Sequence, residues 1–241
     1  MTEADNLNFG KADSPQKPRF GASKRSLSNR ELMAGARGAL TGNWGVAVLG
    51  YVLCLVLIAS LYLFVFSSAF FVGAVGGLSG ANTEVAMEAM QGIIQLAEFL
   101  FSGAFMVGFA RFFLVIVQER QVRLECLFAG FKRFWTAFGA YFFSNLFVAF
   151  WSMLLIVPGI IAVFRYAMTF FVLADDPTCG PLEAITRSKG MMVGNKWKFF
   201  CLNLRFIGWA ILATFFTLGI GYFWLIPYMR TTFAKFYEDV K

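Results

Sequence analysis

Long apolar runs alternate with short basic segments along most of the chain. No charged side chain occurs in residues 38–83, 134–164 or 206–229. A helix needs about 20 apolar residues to cross a hydrocarbon core of ~30 Å, and each run is long enough for at least one such helix. The pattern therefore predicts an all-α protein, a polytopic membrane helix bundle.

Turn-forming residues divide these runs into shorter segments. GAVGGLSG at 73–80 is too rich in glycine to favour a continuous helix, and Pro158-Gly159 and Gly219-Ile-Gly221 interrupt two other runs. We predict about six transmembrane helices in three hairpins, within an integral membrane domain at 28–241. The predicted spans are 46–72, 92–117, 134–157, 160–173, 199–217 and 221–237. The sequence leaves open whether the last apolar region crosses the membrane once or twice.

The composition indicates lipid rather than water as the main solvent. Hydrophobic residues make up 59% of the chain and charged residues 15%, against about 45–50% and about 25% in soluble domains. These values exclude a water-soluble globular domain. Residues 1–27 differ, because they are polar, rich in Pro, Gly, Ser and Lys, and too poor in aliphatic side chains to pack a core. We expect them to form a disordered cytoplasmic tail.

The placement of charge predicts the orientation of the bundle. The tail and segments 118–133 and 174–198 carry clustered Lys and Arg, whereas loop 73–91 has acidic residues and no Lys or Arg. The positive-inside rule then places both termini in the cytoplasm. Trp44, Trp135 and Trp197 each follow a basic segment, where interfacial aromatic anchors are typical. Because the cations flank apolar runs, the net charge of +7 does not indicate a nucleic-acid partner.

The residues that usually carry metal or nucleophilic chemistry are scarce. The sequence has no His, and its four cysteines, at positions 54, 126, 179 and 201, form no Cys-x-x-Cys pair. The sequence therefore lacks the histidines and the paired cysteines that usually bind zinc or haem, and it has no histidine to act as an acid or a base. We predict no catalytic residue, no metal site and no cofactor, and hence no enzyme.

A short internal repeat links two basic segments. Residues 31–44 align with residues 183–196, and the alignment matches Gly42-Asn43 with Gly194-Asn195. Ser28 and Glu31 have capping-box spacing, and the same offset places Gly180 and Pro181 at the start of the second copy. We predict amphipathic cytoplasmic helices at about 28–43 and 181–194. Each ends at a structural corner: Gly42 and Asn43, then Gly194 and Asn195.

Several motifs in the same order resemble a known family. They are GNWG, LFAGFKRF, PGII followed by RY, LADDP, GNKWK, FIGW, and GIG followed by WLIPY. From about residue 29 to the C-terminus the chain resembles a domain-of-unknown-function family of bacterial multi-pass integral membrane proteins. The resemblance implies a bacterial cytoplasmic membrane protein. It implies no catalytic residues, because the family is uncharacterised.

Two polar features inside or next to apolar runs are candidates for chemistry. Asp175-Asp176 could bind Mg²⁺ or act as an acid and a base. We favour a structural role in ending a helix, because no second acidic cluster accompanies the pair. Arg165 lies within an apolar stretch and is the candidate intramembrane polar site. The alternative for Arg165 is snorkelling to an interface or pairing with Glu98 or Asp175, and the sequence leaves both open.

A basic cluster beside Trp197 predicts contact with lipid. The candidate anionic-lipid contacts are Arg187, Lys189, Lys196 and Lys198. The expected function is that of a non-enzymatic membrane protein with a membrane-organising, lipid-contacting or partner-binding role. A protein partner or a second copy of the chain stays open. The alternative is a small transporter or transporter subunit for an anionic substrate, with Arg165 at the substrate.

Overall fold

The computed structural model describes residues 26–79, 83–118 and 122–241. Every regular element in this part of the chain is a helix, as the apolar pattern predicts. The elements are α1 (Asn29–Leu40), α2 (Trp44–Ser79), α3 (Thr83–Val117), a 3₁₀ helix (Leu124–Arg133), α4 (Phe134–Leu154), α5 (Ile156–Tyr166), α6 (Thr169–Asp175), α7 (Pro181–Met191), α8 (Lys196–Thr217) and α9 (Tyr222–Val240). Most of the predicted tail, residues 1–25, lies outside the described residues.

Five described segments are long and apolar enough to cross a membrane. They are Trp44–Ser68, Met87–Val117, Leu124–Leu154, Ile156–Asp175 and Lys196–Thr217. The predicted sixth span, 221–237, lies in α9, which is not among these five. The protein is therefore a membrane-embedded helix bundle.

Two predicted helix boundaries differ from the structure. α2 continues through Gly73, Gly76 and Gly77 to Ser79, because glycine inside a helix costs only about 1 kcal/mol relative to alanine. The turn after α4 falls at Leu155, which has an extended backbone, and not at Pro158-Gly159. Pro158 instead lies in the first turn of α5, where the missing amide hydrogen would have no intrahelical partner.

The segment predicted as one span at 160–173 is interrupted. α5 ends at Tyr166 and α6 starts at Thr169. The buried Ser188 of α7 bridges the interruption, since its Oγ donates to the Arg165 carbonyl at 2.9 Å and accepts from the Met168 amide at 3.2 Å. These backbone groups are thus satisfied by a neighbouring helix, which is how a broken helix is tolerated inside a bundle.

The elements form three successive units, each with one short helix followed by two long helical segments, the second of which is broken into α5 and α6 in the middle unit. The units are α1–α2–α3, the 3₁₀ helix with α4–α5–α6, and α7–α8–α9. α3 packs on the 3₁₀ helix and α4, α7 packs on α4 and α6, and α9 packs on α1 and α3. Every unit therefore contacts both of the others.

The buried core lies toward one end of the bundle. Hydrogen bonds or ion pairs join the end of α3 to α9, the end of α6 to α9, and the starts of α1 and α8 to Asp239. We call this region the basic end and define it as α1, the 3₁₀ helix, α7, the start of α8 and the last turns of α3, α6 and α9. The opposite region, the distal end, comprises the last turns of α2, α4 and α8 and the first turns of α3, α5 and α9.

Candidate functional site

The two copies of the repeat form equivalent corners. Gly42 and Gly194 have positive φ angles of 88° and 79°, a region that favours glycine. The next residue in each copy makes the same contact, because Asn43 Nδ2 donates to the Ala39 carbonyl at 3.5 Å and Asn195 Nδ2 donates to the Met191 carbonyl at 3.0 Å. α2 and α8 then start at matched positions, Trp44 and Lys196.

The short helices before these corners bury the same positions. In α1 the buried residues are Leu32, Met33, Ala36, Ala39 and Leu40. At the aligned positions of the second copy, Ala184, Ile185, Ser188, Met191 and Met192 are also buried. The predicted capping box is present at Ser28 and Glu31, and Gly180 with Pro181 starts α7. The apolar faces of both helices are thus occupied by protein.

Two of the four candidate lipid-contacting cations are held in ion pairs. Arg187 lies 2.7 Å from Asp176 and 2.7 Å from Glu183. Hydrogen bonds from Thr178, together with the Arg187 guanidinium, lower the pKa of Asp176 to about 2. Lys198 lies 2.6 Å from Asp239, which is almost fully buried. These cations fasten α7 to the turn after α6, and α8 to α9.

The other two candidates make no ion pair with a described carboxylate. Lys189 lies over the rings of Phe147 and Tyr166, 5.5 and 5.6 Å from their centres. Lys196 starts α8 beside Trp197, whose surface is 74% exposed. A similar arrangement precedes α4, where the exposed Lys132 lies three residues before the exposed Trp135.

The acidic pair predicted to end a helix is committed to structural contacts. Asp175 accepts from the Tyr237 hydroxyl at 3.0 Å and pairs with Lys241 at 2.5 Å. Asp176 accepts from Thr178 as well as from Arg187. Within the described residues no group of three or more His, Cys, Asp or Glu could hold a metal ion.

Arg165 lies half-buried at the end of α5, next to the interruption that Ser188 bridges. Its side chain makes no ion pair with a described carboxylate. Of the two carboxylates that the sequence allows as partners, Glu98 and Asp175, Asp175 is bound to Lys241 and Tyr237.

Sequence reasoning missed a junction of α1, α8 and α9. There Arg37 donates to the Tyr228 hydroxyl, and Arg205 donates to the sulfur of Met33. It also missed Arg230, whose guanidinium lies 5.3 Å from the centre of the Phe109 ring. The only sequence signal was the presence of arginine at the edges of apolar runs, which does not identify neighbours about 190 residues away along the chain.

A family model described as a protein of unknown function (DUF975) matches residues 27–164 and 152–241 of the chain. No match was found among curated proteins or among solved structures. The match covers all of the described helices.

Proposed function

The chain belongs to this family of proteins of unknown function (DUF975), and we propose that it is a non-enzymatic membrane protein whose basic end contacts anionic lipid headgroups. In this proposal the basic end and both termini face the cytoplasm of a bacterial cell. The ligand class follows from the charges of the basic end.

One observation carries the proposal. Lys132 and Lys196 make no ion pair with a carboxylate in the described part of the chain. Lys196 directly precedes the exposed Trp197, and Lys132 lies three residues before the exposed Trp135, in both cases where a long apolar helix starts. Tryptophan favours the membrane–water interface, and a lysine near an anionic surface contributes about 1 kcal/mol of binding. We therefore expect Lys132 and Lys196 to lie at the level of the lipid headgroups, as a belt of cations around the basic end, and not in bulk water.

We propose that the protein is not an enzyme, because its acidic pair is occupied by other side chains and the thiol of Cys179 is protonated at neutral pH. Asp175 and Asp176, the strongest acidic candidates, are occupied by Tyr237, Lys241 and Arg187. Burial raises the pKa of the Cys179 thiol to about 11, so the thiolate is scarce at neutral pH.

Transport of an anion is the second candidate function. Arg165 favours it, because this half-buried cation has no described carboxylate partner and lies beside a broken helix, a feature of many transporter sites. Against it, the amide and carbonyl groups at the break are bound by Ser188 and are not available to a substrate. The test is anion uptake into proteoliposomes. Uptake by the wild type that is lost in Arg165→Gln would favour transport over lipid contact as the function.

The test of the lipid proposal compares two variants with equal loss of charge. Lys132→Gln/Lys196→Gln removes cations without ion pairs, and Arg187→Gln/Lys198→Gln removes ion-paired cations. Purified full chain is placed in nanodiscs of phosphatidylcholine with graded phosphatidylglycerol, and the midpoint of thermal unfolding is measured.

We expect anionic lipid to raise the wild-type midpoint, because binding to the folded state stabilises it. Lys132→Gln/Lys196→Gln should lose this rise and keep the wild-type midpoint in phosphatidylcholine. Arg187→Gln/Lys198→Gln should lower the midpoint in both lipids and keep the rise. An unchanged rise in Lys132→Gln/Lys196→Gln would overturn the proposal.

A further inference from the structure

α1, α8 and α9 meet at Met33 and Tyr228. The Tyr228 hydroxyl donates to the Met33 carbonyl at 3.3 Å and accepts from Nε of Arg37 at 3.1 Å. The Arg37 guanidinium lies 5.5 Å from the centre of the Tyr228 ring, and Phe206 packs edge-on against the same ring. Tyr228 thereby holds Arg37 against α9.

Arg205 reaches the same point from α8. Its Nη1 donates to the sulfur of Met33 at 3.5 Å, although a thioether is a weak acceptor and a guanidinium has five donors. Arg37 and Arg205 are both exposed, and neither pairs with a described carboxylate. Arg205 thus bonds to Met33 directly, Arg37 is linked to Met33 through the Tyr228 hydroxyl, and each arginine makes one side-chain hydrogen bond to the described residues.

An open cavity of about 520 Å³ lies between the start of α1 and the start of α8, and its lining residue Cys201 is one helical turn before Arg205 along α8. Asn29, Trp197 and Cys201 are among its lining residues. Oδ1 of Asn29 is buried and has no hydrogen-bond partner among the described residues. An acceptor of this kind suits a ligand that brings a hydroxyl group, because an unsatisfied buried polar atom is costly.

The features follow one another along α8 in a definite order. Trp197 and Cys201 line the cavity, Arg205 lies one turn further, and the exposed Gly208 and Leu212 follow. A Cβ atom built on Gly208 would meet no atom within 4 Å, so the surface there is open. From the basic end inward along α8, the order is the cavity, Arg205 and an exposed face that contains Gly208 and Leu212.

We propose that Arg37 and Arg205 bind the phosphate of an anionic phospholipid with a hydroxylated headgroup, which occupies the cavity between α1 and α8. Guanidinium groups bind phosphate through paired, charge-assisted hydrogen bonds. The acyl chains lie along the face that contains Gly208 and Leu212. The proposal rests on the proposed function for the class of ligand, and it adds a discrete site outside the belt of Lys132 and Lys196.

The test measures stabilisation of the purified full chain in a neutral detergent. The probes are dihexanoyl phosphatidylglycerol, dihexanoyl phosphatidylcholine and inorganic phosphate, each titrated while the unfolding midpoint is followed. The variant Arg37→Gln/Arg205→Gln is compared with the control Arg30→Gln/Arg123→Gln, which removes two exposed arginines from elsewhere at the basic end.

We expect phosphatidylglycerol to stabilise the wild type, and its affinity to fall about 30-fold in Arg37→Gln/Arg205→Gln and little in the control. Arg205→Lys should lose part of the affinity, because it keeps the charge and removes the planar fork of donors. The midpoint without lipid should fall slightly in Arg37→Gln/Arg205→Gln, because the contacts with Tyr228 and Met33 are lost, and should stay near that of the wild type in the control. The affinity of each variant is therefore taken from the rise in its own midpoint as lipid is added.

Three outcomes would overturn the proposal or part of it. Unchanged affinity in Arg37→Gln/Arg205→Gln, or an equal loss in the control, removes the site. A second outcome is that inorganic phosphate stabilises the wild type as much as phosphatidylglycerol does and loses this effect in Arg37→Gln/Arg205→Gln. In that case the site binds free phosphate, and the proposal that a lipid supplies the phosphate is wrong. If the site fails while Lys132→Gln/Lys196→Gln still loses its nanodisc response, the proposed function stands without it.

Discussion

At the basic end, the large side chains Phe112 and Tyr237 are 0% and 2% exposed, whereas at the distal end Met153 and Leu218 are 92% and 93% exposed. α1 and α7 at the basic end contain many polar residues, whereas α2 and α4, which reach the distal end, are mostly apolar, so hydrophobicity alone does not decide where the chain packs. The basic end adds short helices that bury one face and ion pairs that join helix ends. Among the described residues no ion pair lies at the distal end, and much of the surface there consists of exposed apolar side chains, which lipid can cover.

The difference shows where structural specificity resides in this bundle. In lipid, apolar contact between helices gains little, because acyl chains are as apolar as leucine, and close backbone approach and polar contacts matter more. α3 shows both situations. Its last turns are buried against the other units, whereas Ile93 and Leu96 near its start are exposed.

The largest expected effect comes from the backbone contact between α3 and the 3₁₀ helix. A Cβ atom on Gly108 would lie 1.8 Å from the Leu127 carbonyl oxygen. Because that oxygen belongs to the backbone and cannot rotate away, we expect Gly108→Ala to lower the free energy of unfolding by about 3 kcal/mol or more. Denaturation of the purified protein in detergent, followed by circular dichroism, measures this change.

Gly92→Ala is the matched control at the distal end of the same helix. Nothing lies within 4 Å of a Cβ atom built there. Alanine is the better helix former, so we expect the free energy of unfolding to stay the same or to rise by up to about 1 kcal/mol. Similar losses in Gly108→Ala and Gly92→Ala would contradict the contrast between the two ends.

The sequence predicts the features that depend on local preference and overall composition. The all-α class follows from long apolar runs, and the corners follow from Gly-Asn at matched positions. The contact of Gly108 with Leu127 leaves no such trace, because a helical glycine has the same local pattern whether or not another backbone approaches it.

The candidate sites show the same division. The cations beside Trp197 are visible in the sequence, yet only the fold reveals that Lys198 pairs with Asp239 while Lys196 does not. The junction of Arg37 with Tyr228 joins the first short helix to the last long one. Such pairings depend on how the three units pack against one another. The hydrophobic periodicity of a single helix does not predict that packing.

A smaller effect is expected at the two corners, where the short helices of the basic end meet α2 and α8. Gly42→Ala and Gly194→Ala should each lower the free energy of unfolding by about 1 kcal/mol, because a side chain opposes a left-handed backbone. Gly38→Ala and Gly190→Ala are the controls, since they replace glycines inside α1 and α7 with no atom within 4 Å of the added Cβ. These controls should be neutral or stabilising. Effects of opposite sign at Gly42 and Gly194 would show that the two corners are not equivalent.

The smallest expected effect is the pH dependence of the ion pair between α7 and the turn after α6. Hydrogen bonds from Thr178 and the Arg187 guanidinium lower the pKa of Asp176 from 3.8 to about 2. A carboxyl group with a lower pKa in the folded state stabilises that state above its unfolded pKa, and this contribution disappears as the pH falls through the folded pKa.

We therefore expect the difference in unfolding midpoint between wild type and Asp176→Asn to be constant at neutral pH and to shrink from about pH 4 to about pH 2. Glu183→Gln is the control, because Glu183 pairs with the same arginine but is more exposed and belongs to the same helix. Exposed pairs within one helix contribute about 0.3–0.5 kcal/mol, so this control should change the midpoint little at any pH. A difference for Asp176→Asn that stays constant down to pH 2 would show that the carboxylate charge does not hold α7 in place, and that the hydrogen bonds with Thr178 suffice.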